Sequence, residues 1–206
     1  MNIGVDMDGV LTDMQGFNRK HAPCYFKKKF NRDVTDPESY DIREMFTCTD
    51  KEFLAYWRRH LFRYAITEPA REDARNVNAK LRQEGHSIFI ISKRVFANRK
   101  SLMGRLMRLV VRNWLWRNGI LYDEIVFCDN DIHDSKQGVC LDKRIDVMID
   151  DEAVNINAIA QVARVICFGT CYNRDCEGEN ITRAHGWDEV YGLISEMDVQ
   201  LEPSVL

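Results

Sequence analysis

Short apolar runs alternate with longer amphipathic stretches along most of the chain. Five runs have the length and β-branched content of buried parallel strands, and they cover residues 3–5, 87–91, 124–127, 145–149 and 165–168. Apolar residues at helical spacing predict helices at residues 70–83, 101–117, 153–162 and 187–196. Because strands that alternate with helices form βαβ units, we predict an α/β fold in which a parallel sheet lies between two layers of helices.

One segment breaks this alternation. Residues 14–68 show no convincing strand, and they instead predict helices at 14–30 and 50–62, joined by a polar loop that contains Pro37. An insertion after the first strand would lie above the carboxyl edge of the sheet, where insertions act as lids. We therefore predict a core domain formed by residues 1–13 and 69–197, a small helical cap formed by residues 14–68, and a C-terminal tail at 198–206.

The composition is that of a globular protein. Hydrophobic residues make up 45% of the 206 residues, and the net charge of −3 provides no overall positive field to attract nucleic acid or an anionic membrane. No apolar run approaches the ~20 residues that span a bilayer, and acidic residues in the segment MNIGVDMDGV argue against a signal peptide. Seven cysteines without a C-x-x-C pair indicate reduced thiols. We expect a cytoplasmic protein, and a homodimer is left open.

Polar residues at the ends of the predicted strands mark the expected place of the chemistry. In open α/β sheets, ligands bind outside the carboxyl ends of the strands. The residues concerned are Asp6 and Asp8 after the first strand, Ser92 after the second, Asp150 and Asp151 after the fourth, and Lys136 shortly before the fourth. Four acids, one hydroxyl and one lysine should therefore meet at a single edge of the sheet.

Carboxylates crowded at one edge repel one another unless a cation neutralises them or their pKa values rise. Mg²⁺ suits such oxygen ligands, because it binds few carboxylates and keeps water and phosphate oxygens in its shell. A metal and a lysine offset the charge of a phosphoryl group, and a hydroxyl positions one of its oxygens. A carboxylate can then attack phosphorus and form an aspartyl-phosphate. The strand-end residues therefore indicate Mg²⁺-dependent chemistry on a small phosphate ester.

Four motifs resemble those of the haloacid dehalogenase (HAD) superfamily of phosphohydrolases, in the same order and spacing. They are D-M-D-G-V-L-T-D at 6–13, I-I-S at 90–92, Lys136, and M-I-D-D at 148–151. Four segments are more specifically similar to the cytosolic 5′(3′)-deoxyribonucleotidases, or type C 5′-nucleotidases: P-A-R at 69–71, G-H-S-I-F-I-I-S at 85–92, I-D-V-M-I-D-D at 145–151 and C-Y-N-R at 171–174. The resemblance covers roughly residues 1–195. It implies a HAD-like three-layer α/β/α core of the Rossmann type with a small helical cap of the C1 type.

The resemblance implies roles for the two acids of the first motif. Asp6 would attack phosphorus, and its other oxygen would bind Mg²⁺. Asp8 would bind Mg²⁺ through its backbone carbonyl, while its side chain would protonate the leaving oxygen and then activate the hydrolytic water. Because one residue separates the two acids, the intervening side chain should turn away and leave both acids facing the site.

The other motif residues would hold the phosphate and the metal. Gly9 would let the backbone approach the phosphate closely, and Ser92 and Lys136 would bind phosphoryl oxygens. Asp151 would be a Mg²⁺ ligand, directly or through water, with Asp150 beside it. Because adjacent residues of a strand cannot point the same way, we favour Asp151 as the direct ligand.

Aromatic residues are dense in the predicted cap, and one or two of them could stack on a nucleobase. Trp57 is our first candidate for that contact. Together these features predict a Mg²⁺-dependent phosphomonoesterase that dephosphorylates (deoxy)nucleoside monophosphates through an aspartyl-phosphate. A phosphatase for another small phosphate ester, such as a sugar phosphate, is one alternative, and a catalytically retired binding protein is another. The sequence leaves open the base, the position of the phosphate and the oligomeric state.

The segment 93–117 contains eight basic residues and no acidic one. Within it, Arg105, Arg108 and Arg112 recur at helical spacing, with leucines at other positions. We interpret this segment as an amphipathic surface helix whose arginine stems lie over apolar surface. A contact face for RNA or for an acidic partner is the alternative.

Overall fold

A computed structural model of the chain describes residues 1–39, 41–129 and 135–201. The strands are β1 (Asn2–Val5), β2 (Ser87–Ser92), β3 (Glu124–Phe127), β4 (Val147–Asp150), β5 (Arg164–Phe168) and β6 (Ile181–Ala184). The helices are α1 (Met14–Phe30), α2 (Ile42–Met45), α3 (Asp50–Thr67), α4 (Ala74–Gln83), α5 (Leu102–Arg117), α6 (Lys136–Asp142), α7 (Ala153–Ile159) and α8 (Trp187–Leu201). No helix formed by the described residues is both long and apolar enough to cross a membrane.

The strands form one parallel sheet in the order β3-β2-β1-β4-β5-β6. Strands β2, β1 and β4 are neighbours in the middle of the sheet, although long segments of sequence separate them. Their carboxyl ends therefore lie side by side at one edge, and this is the edge at which the motif residues were expected to meet.

Side chains alternate between two apolar layers on opposite faces of the sheet. Ile3 of β1 and Val147 and Ile149 of β4 pack into a layer that includes residues of α4, α5 and α8. Met148 points to the other face and packs in a second layer with residues of α6 and α7. Burial on both faces explains why these strands read as nearly continuous apolar runs. The predicted α/β fold with helices on both sides of the sheet is confirmed.

Helices α1, α2 and α3 form most of the segment predicted as the cap. Asp13 caps α1 by accepting a hydrogen bond from a backbone N–H of the first turn, and Thr49 and Glu52 form a capping box at the start of α3. Phe26 stacks on Phe46 with 4.3 Å between the ring centroids, inside an apolar cluster whose described members all belong to this segment. This separate cluster is consistent with the predicted division into cap and core, which itself stays a prediction.

Several element boundaries differ from the prediction. Helix α3 continues to Thr67 instead of ending at residue 62, and α4 begins only at Ala74 because Asp73 adopts a left-handed conformation with φ of 58°. Strand β4 begins at Val147, two residues later than expected. Helix α8 extends to Leu201 and so passes the predicted start of the tail at residue 198. The rest of that tail, residues 202–206, lies outside the described residues.

Three short elements were not predicted. Strand β6 is a four-residue edge strand with the sequence I-T-R-A, and its polar centre gives little hydrophobic signal. Helices α2 and α6 have four and seven residues, which is too short for a clear helical period. Helix α6 matters for the site, because Lys136 is its first residue.

Candidate active site

The loop after β1 places the first motif at the centre of the sheet edge. The backbone N–H of Asp6 donates to the carbonyl oxygen of Ile149 on β4 at 2.9 Å, so this acid is fixed between the two central strands. Met7 is fully buried in the core, whereas Asp6 and Asp8 both line one cavity. The two acids thus face the same space, as their spacing predicts.

Lys136 joins two of the predicted acids. Its Nζ lies 2.7 Å from Asp6 Oδ2 and 2.6 Å from Asp150 Oδ2, and its side chain is 2% exposed. Burial disfavours the charged lysine, but the nearby charges of Asp150 and Asp6 outweigh burial and raise the pKa of Lys136. The lysine is therefore a permanent buried cation that neutralises part of the negative charge of the site.

Asp6, Asp150 and Asp151 bring carboxylate oxygens within 4.8 Å of one another. Burial raises the pKa of Asp6 well above its usual range; Lys136 opposes this rise, and the charges of Asp150 and Asp151 add to it. Burial, together with the charge of Asp150, raises the pKa of Asp151 to about 7. One lysine does not balance three buried acids, and a set of carboxylate oxygens is the donor set that a hard cation such as Mg²⁺ prefers. These residues therefore fit a divalent metal.

The two acids that follow β4 have different surroundings. Asp150 is fully buried, and its carboxylate accepts hydrogen bonds from Lys136 and from a backbone N–H. The Asp151 carboxylate lines the cavity and accepts a hydrogen bond from the Tyr172 hydroxyl. Asn173 fixes the backbone at this point by donating to the Asp151 carbonyl oxygen at 2.8 Å. Asp151 is therefore the better placed of the two to meet a ligand in the cavity.

Gly9 is packed against Asp151. Its φ is +95°, a conformation that residues with a side chain rarely adopt, and a Cβ atom at this position would overlap the Asp151 carboxylate. The sequence analysis explained Gly9 by close approach of the backbone to a phosphate. The structure adds a second reason, since the absent side chain leaves the space in which Asp151 lies.

The Gly9→Ala variant should lose at least about 100-fold in kcat/KM, because the new methyl group displaces the Asp151 carboxylate from the site. Gly85 is a matched control: its φ is +89°, but no atom of the described residues lies within 4 Å of a Cβ added there. Gly85→Ala should cost only about 1–2 kcal/mol of stability from backbone strain and leave activity unchanged. Steady-state kinetics and thermal unfolding of both variants test this. Equal activity losses in the two variants would show that backbone strain alone is responsible.

The Asp8 carboxylate is held by two residues that the sequence analysis did not assign. The Tyr64 hydroxyl of α3 donates to Asp8 Oδ1 at 2.6 Å. Arg94 donates from Nε to Asp8 Oδ2 at 2.8 Å and from Nη2 to Oδ1, and its side chain is 2% exposed. The predicted acid–base residue is thus fixed by one contact from the cap segment and one from the loop after β2.

Ser92 ends β2, next to β1. Its Oγ is buried and has no hydrogen-bond partner among the residues that the structure describes, and the same holds for Nη1 of Arg94. A buried polar group without a partner is costly. Phosphoryl oxygens would supply acceptors for both atoms. Arg94 lines the same cavity as Asp6 and Lys136, whereas Ser92 is not among the residues that line it.

A cavity of about 450 Å³ lies between the cap helices and these residues. Asp6, Asp151 and Lys136 line it from the core, and Phe53 and Trp57 line it from α3. The Trp57 ring is partly buried and packs edge-on against another cap aromatic of the same helix. The candidate for base stacking therefore borders the same cavity as the phosphate residues.

Comparisons with known proteins agree with the interpretation of this site as one for a phosphate ester. The sequence model of the family described as "5′ nucleotidase, deoxy (Pyrimidine), cytosolic type C protein" matches residues 1–200. The chain is 24% identical over 200 residues to a nucleotidase of Clostridium acetobutylicum, a match that covers 96% of this chain and 95% of the relative. It is 27% identical over 205 residues to a protein of Chlorobaculum tepidum named as a 5′(3′)-deoxyribonucleotidase, covering 93% and 89% of the two chains.

The fold also has close counterparts among solved structures. A HAD-family hydrolase from Deinococcus radiodurans, crystallised with bound phosphate and sodium, superimposes with a TM-score of 0.63 at 15% identity, and the match covers 98% of each chain. At this identity the likeness concerns the fold alone. It confirms the HAD-like core that the motifs led us to expect.

Proposed function

The chain belongs to the cytosolic type C 5′-nucleotidase family of HAD phosphatases, and on that basis we propose that it hydrolyses (deoxy)nucleoside monophosphates with Mg²⁺ through an aspartyl-phosphate. It is a phosphoric monoester hydrolase by family. The observation that supports the finer proposal is the position of the buried cluster of Asp6, Asp151 and Lys136, directly beneath a cavity lined by cap aromatics.

In the first half of the reaction, a carboxylate oxygen of Asp6 attacks phosphorus while the bond from phosphorus to the leaving oxygen breaks. Asp8 enters the reaction in its protonated form and delivers that proton to the leaving oxygen, so the nucleoside departs as a neutral alcohol. Ser92 and Lys136 donate hydrogen bonds to the phosphoryl oxygens during the transfer. Tyr64 and Arg94 hold the Asp8 carboxyl group in place, which limits its motion relative to the leaving group.

In the second half, a water molecule attacks the phosphorus of the aspartyl-phosphate. Asp8, now a carboxylate, takes a proton from that water, and the bond between phosphorus and Asp6 breaks. Inorganic phosphate leaves, and Asp6 and Asp8 return to their starting states. Asp6, Asp151 and the Asp8 backbone carbonyl would hold the Mg²⁺, with Asp150 beside them, and the ion would supply positive charge to the phosphoryl oxygens.

The metal assignment predicts different effects for two acids. Asp151→Ala should raise the Mg²⁺ concentration needed for half-maximal activity by at least about tenfold, because it removes a carboxylate that faces the cavity. Asp129→Ala is the control, since this carboxylate binds the Asn98 amide at 2.6 Å and lies outside the acid cluster. The measurement is the initial rate against Mg²⁺ concentration after treatment with a chelator. A larger shift for Asp129→Ala would move the metal site away from the cluster of Asp6, Asp150 and Asp151.

Substrate choice should come from the cap, because the phosphate residues contact only the group that all phosphate esters share. Stacking a base on an aromatic ring is worth roughly 1–3 kcal/mol. A deoxynucleoside monophosphate should therefore have at least about tenfold higher kcat/KM than ribose 5-phosphate. Trp57→Ala should abolish this preference and keep hydrolysis of a small generic phosphate ester.

Phe30→Ala provides the control for Trp57→Ala, because Phe30 is a cap aromatic that does not line the cavity. It should leave the preference for the nucleotide intact. Equal efficiency of the unmutated protein on the nucleotide and on ribose 5-phosphate would reject the nucleotidase proposal and favour a general phosphatase. No hydrolysis of any ester despite bound Mg²⁺ would instead indicate a binding protein.

A further inference from the structure

Helix α5 has two apolar faces, and only one of them packs on the core. The buried apolar residues are Met107, Val111, Trp114 and Leu115. Leu102, Leu106, Leu109 and Trp116 lie on the other side and are 84, 45, 62 and 77% exposed. The amphipathic surface helix expected from the sequence is present, but these side chains are exposed instead of lying beneath arginine stems. Large apolar side chains arranged in a row on the surface are uncommon and mark interaction sites.

The exposed apolar residues of α5 have the spacing of a coiled-coil seam. Leu102, Leu106, Leu109, Asn113 and Trp116 follow one another in alternating steps of four and three residues, and all five are exposed. We call this row the α5 seam. A repeat of this kind forms a narrow stripe along one side of a helix, which is the surface that a second helix packs against. Asn113 occupies an inner position, where a polar residue sets the register of helix pairs.

A groove of about 580 Å³ runs beside the seam. It is lined by Ile66 at the end of α3 and by Leu109, Trp116 and Arg112 of α5. An amphipathic helix can cover both the ridge of leucines and the adjacent groove, whereas a partner with a flat surface would leave the groove empty. The ridge and groove therefore suit an amphipathic helix better.

The charged residues of α5 itself are all basic. Arg105 and Arg112 are exposed and each follows a seam leucine by three residues, so they flank the seam on one side. Arg117 also lines the groove. No acidic residue lies between residues 93 and 117, although the chain as a whole has a net charge of −3. A partner for this surface must therefore combine apolar side chains with negative charges.

We propose that the α5 seam docks an amphipathic helix of another protein, one whose apolar stripe is flanked by acidic residues. A second copy of this chain fits the same face poorly, because pairing seam to seam would place Arg105 and Arg112 against the same arginines of the other copy. RNA would meet the arginines but leave the leucines uncovered. A lipid surface favours an uninterrupted apolar face, whereas the polar Asn113 lies between Leu109 and Trp116 on this one.

Two synthetic peptides test the proposal directly with the full chain. Both contain three heptads with Leu at the a and d positions; one carries Glu and the other Lys at the e and g positions. Fluorescence anisotropy should show at least about tenfold tighter binding of the Glu peptide, which corresponds to about 1.4 kcal/mol. The double variant Leu106→Ser/Leu109→Ser should weaken that binding by at least about tenfold, because it removes the centre of the seam.

Charge-reversal variants distinguish binding of the peptide at the α5 seam from nonspecific electrostatic attraction to the protein. Arg105→Glu/Arg112→Glu should reverse the preference, so that the Lys peptide binds more tightly than the Glu peptide. Lys28→Glu/Lys29→Glu is the matched control, since it makes the same charge change on the exposed side of α1 and should leave the preference unaltered. Circular dichroism establishes that each variant is folded. None of these residues lines the active-site cavity, so phosphatase activity should be unchanged, and the result is independent of the proposed substrate.

Four results would overturn the proposal. The first is that neither peptide binds at about 100 μM, which lies well above the Kd expected for a specific site, and the second is that both peptides bind with equal affinity. The third is seam-dependent binding to vesicles of phosphatidylcholine and phosphatidylserine in place of the peptide. The fourth is a dimer in analytical ultracentrifugation that Leu106→Ser/Leu109→Ser dissociates. The last result would assign the seam to a second copy of this chain.

Discussion

The Asp6→Asn variant should lose at least about 10⁴-fold in kcat, because an amide cannot act as the nucleophile that forms the aspartyl-phosphate. The substitution preserves the shape of the side chain and removes one negative charge from a crowded, buried cluster. The variant should therefore unfold at the same temperature as the unmutated protein or higher. Steady-state kinetics with a deoxynucleoside monophosphate, combined with thermal unfolding, separate the loss of chemistry from a loss of structure.

Variants of two other acids in the same motif test whether the loss of kcat is specific to Asp6. Asp8→Asn should slow turnover strongly but retain Mg²⁺-dependent phosphate binding, since Asp8 acts on protons and its side chain lies outside the acid cluster. Asp13→Asn should change kcat by less than about threefold, because asparagine caps a helix as well as aspartate does. A near-normal rate for Asp6→Asn would mean that water attacks the substrate directly.

The positions of the main site residues could be predicted from the sequence because they depend on local pattern and on one rule of topology. Each predicted strand is a short apolar run, and Asp6, Ser92 and Asp150 follow the end of such a run. Parallel strands bring their carboxyl ends to one edge regardless of their order in the sheet. That rule predicts the common edge, but the close approach of these side chains also depends on the strand order, which places β1 between β2 and β4.

Contacts between side chains that are distant in the sequence could not be predicted in the same way. The Asp8 carboxylate meets Tyr64 and Arg94, which are 56 and 86 positions away. These pairings depend on how the cap helix α3 and the loop after β2 pack over β1, and no single segment encodes this. Tyr172 and Asp151 meet for the same reason, because β4 and β5 are neighbours.

Helix α5 shows a second limit of sequence patterns. Its apolar residues form two stripes, one through Met107 and Val111 and the other through Leu106 and Leu109. A helical period identifies both stripes but does not say which one the rest of the chain covers. The packing of α5 against α3 and the sheet decides this, and it leaves the leucines exposed.

The Lys136→Met variant should be both inactive and strongly destabilised in the absence of metal. Removing the lysine leaves Asp6 and Asp150 without the cation that lies within 2.7 Å of each. Removing one partner from a buried ion pair costs about 3–5 kcal/mol. Lys143→Met is the control, because Lys143 pairs with Glu124 at 2.8 Å in a partly exposed position, where a pair is worth less than about 1 kcal/mol. Denaturant unfolding of both variants after chelation measures the difference.

The pH dependence of Lys136→Met tests whether the buried carboxylates cause its instability. Burial already raises the pKa of Asp6 above its usual range and that of Asp151 to about 7. A carboxyl group whose pKa is raised in the folded state binds protons there more tightly than in the unfolded chain, so its folded form becomes less stable as the pH rises through the folded pKa. The loss of lysine should strengthen this effect, and the variant should be much less stable at pH 8 than at pH 6.

Magnesium should restore part of the stability lost at pH 8, since it supplies positive charge to the same carboxylates. The Lys143→Met control should show neither the added pH dependence nor any gain from Mg²⁺ beyond that of the unmutated protein. A loss of stability in Lys136→Met that is the same at both pH values and unaffected by Mg²⁺ would trace the defect to lost packing of the lysine stem. In that case Lys136 would not be the charge that holds the acid cluster together.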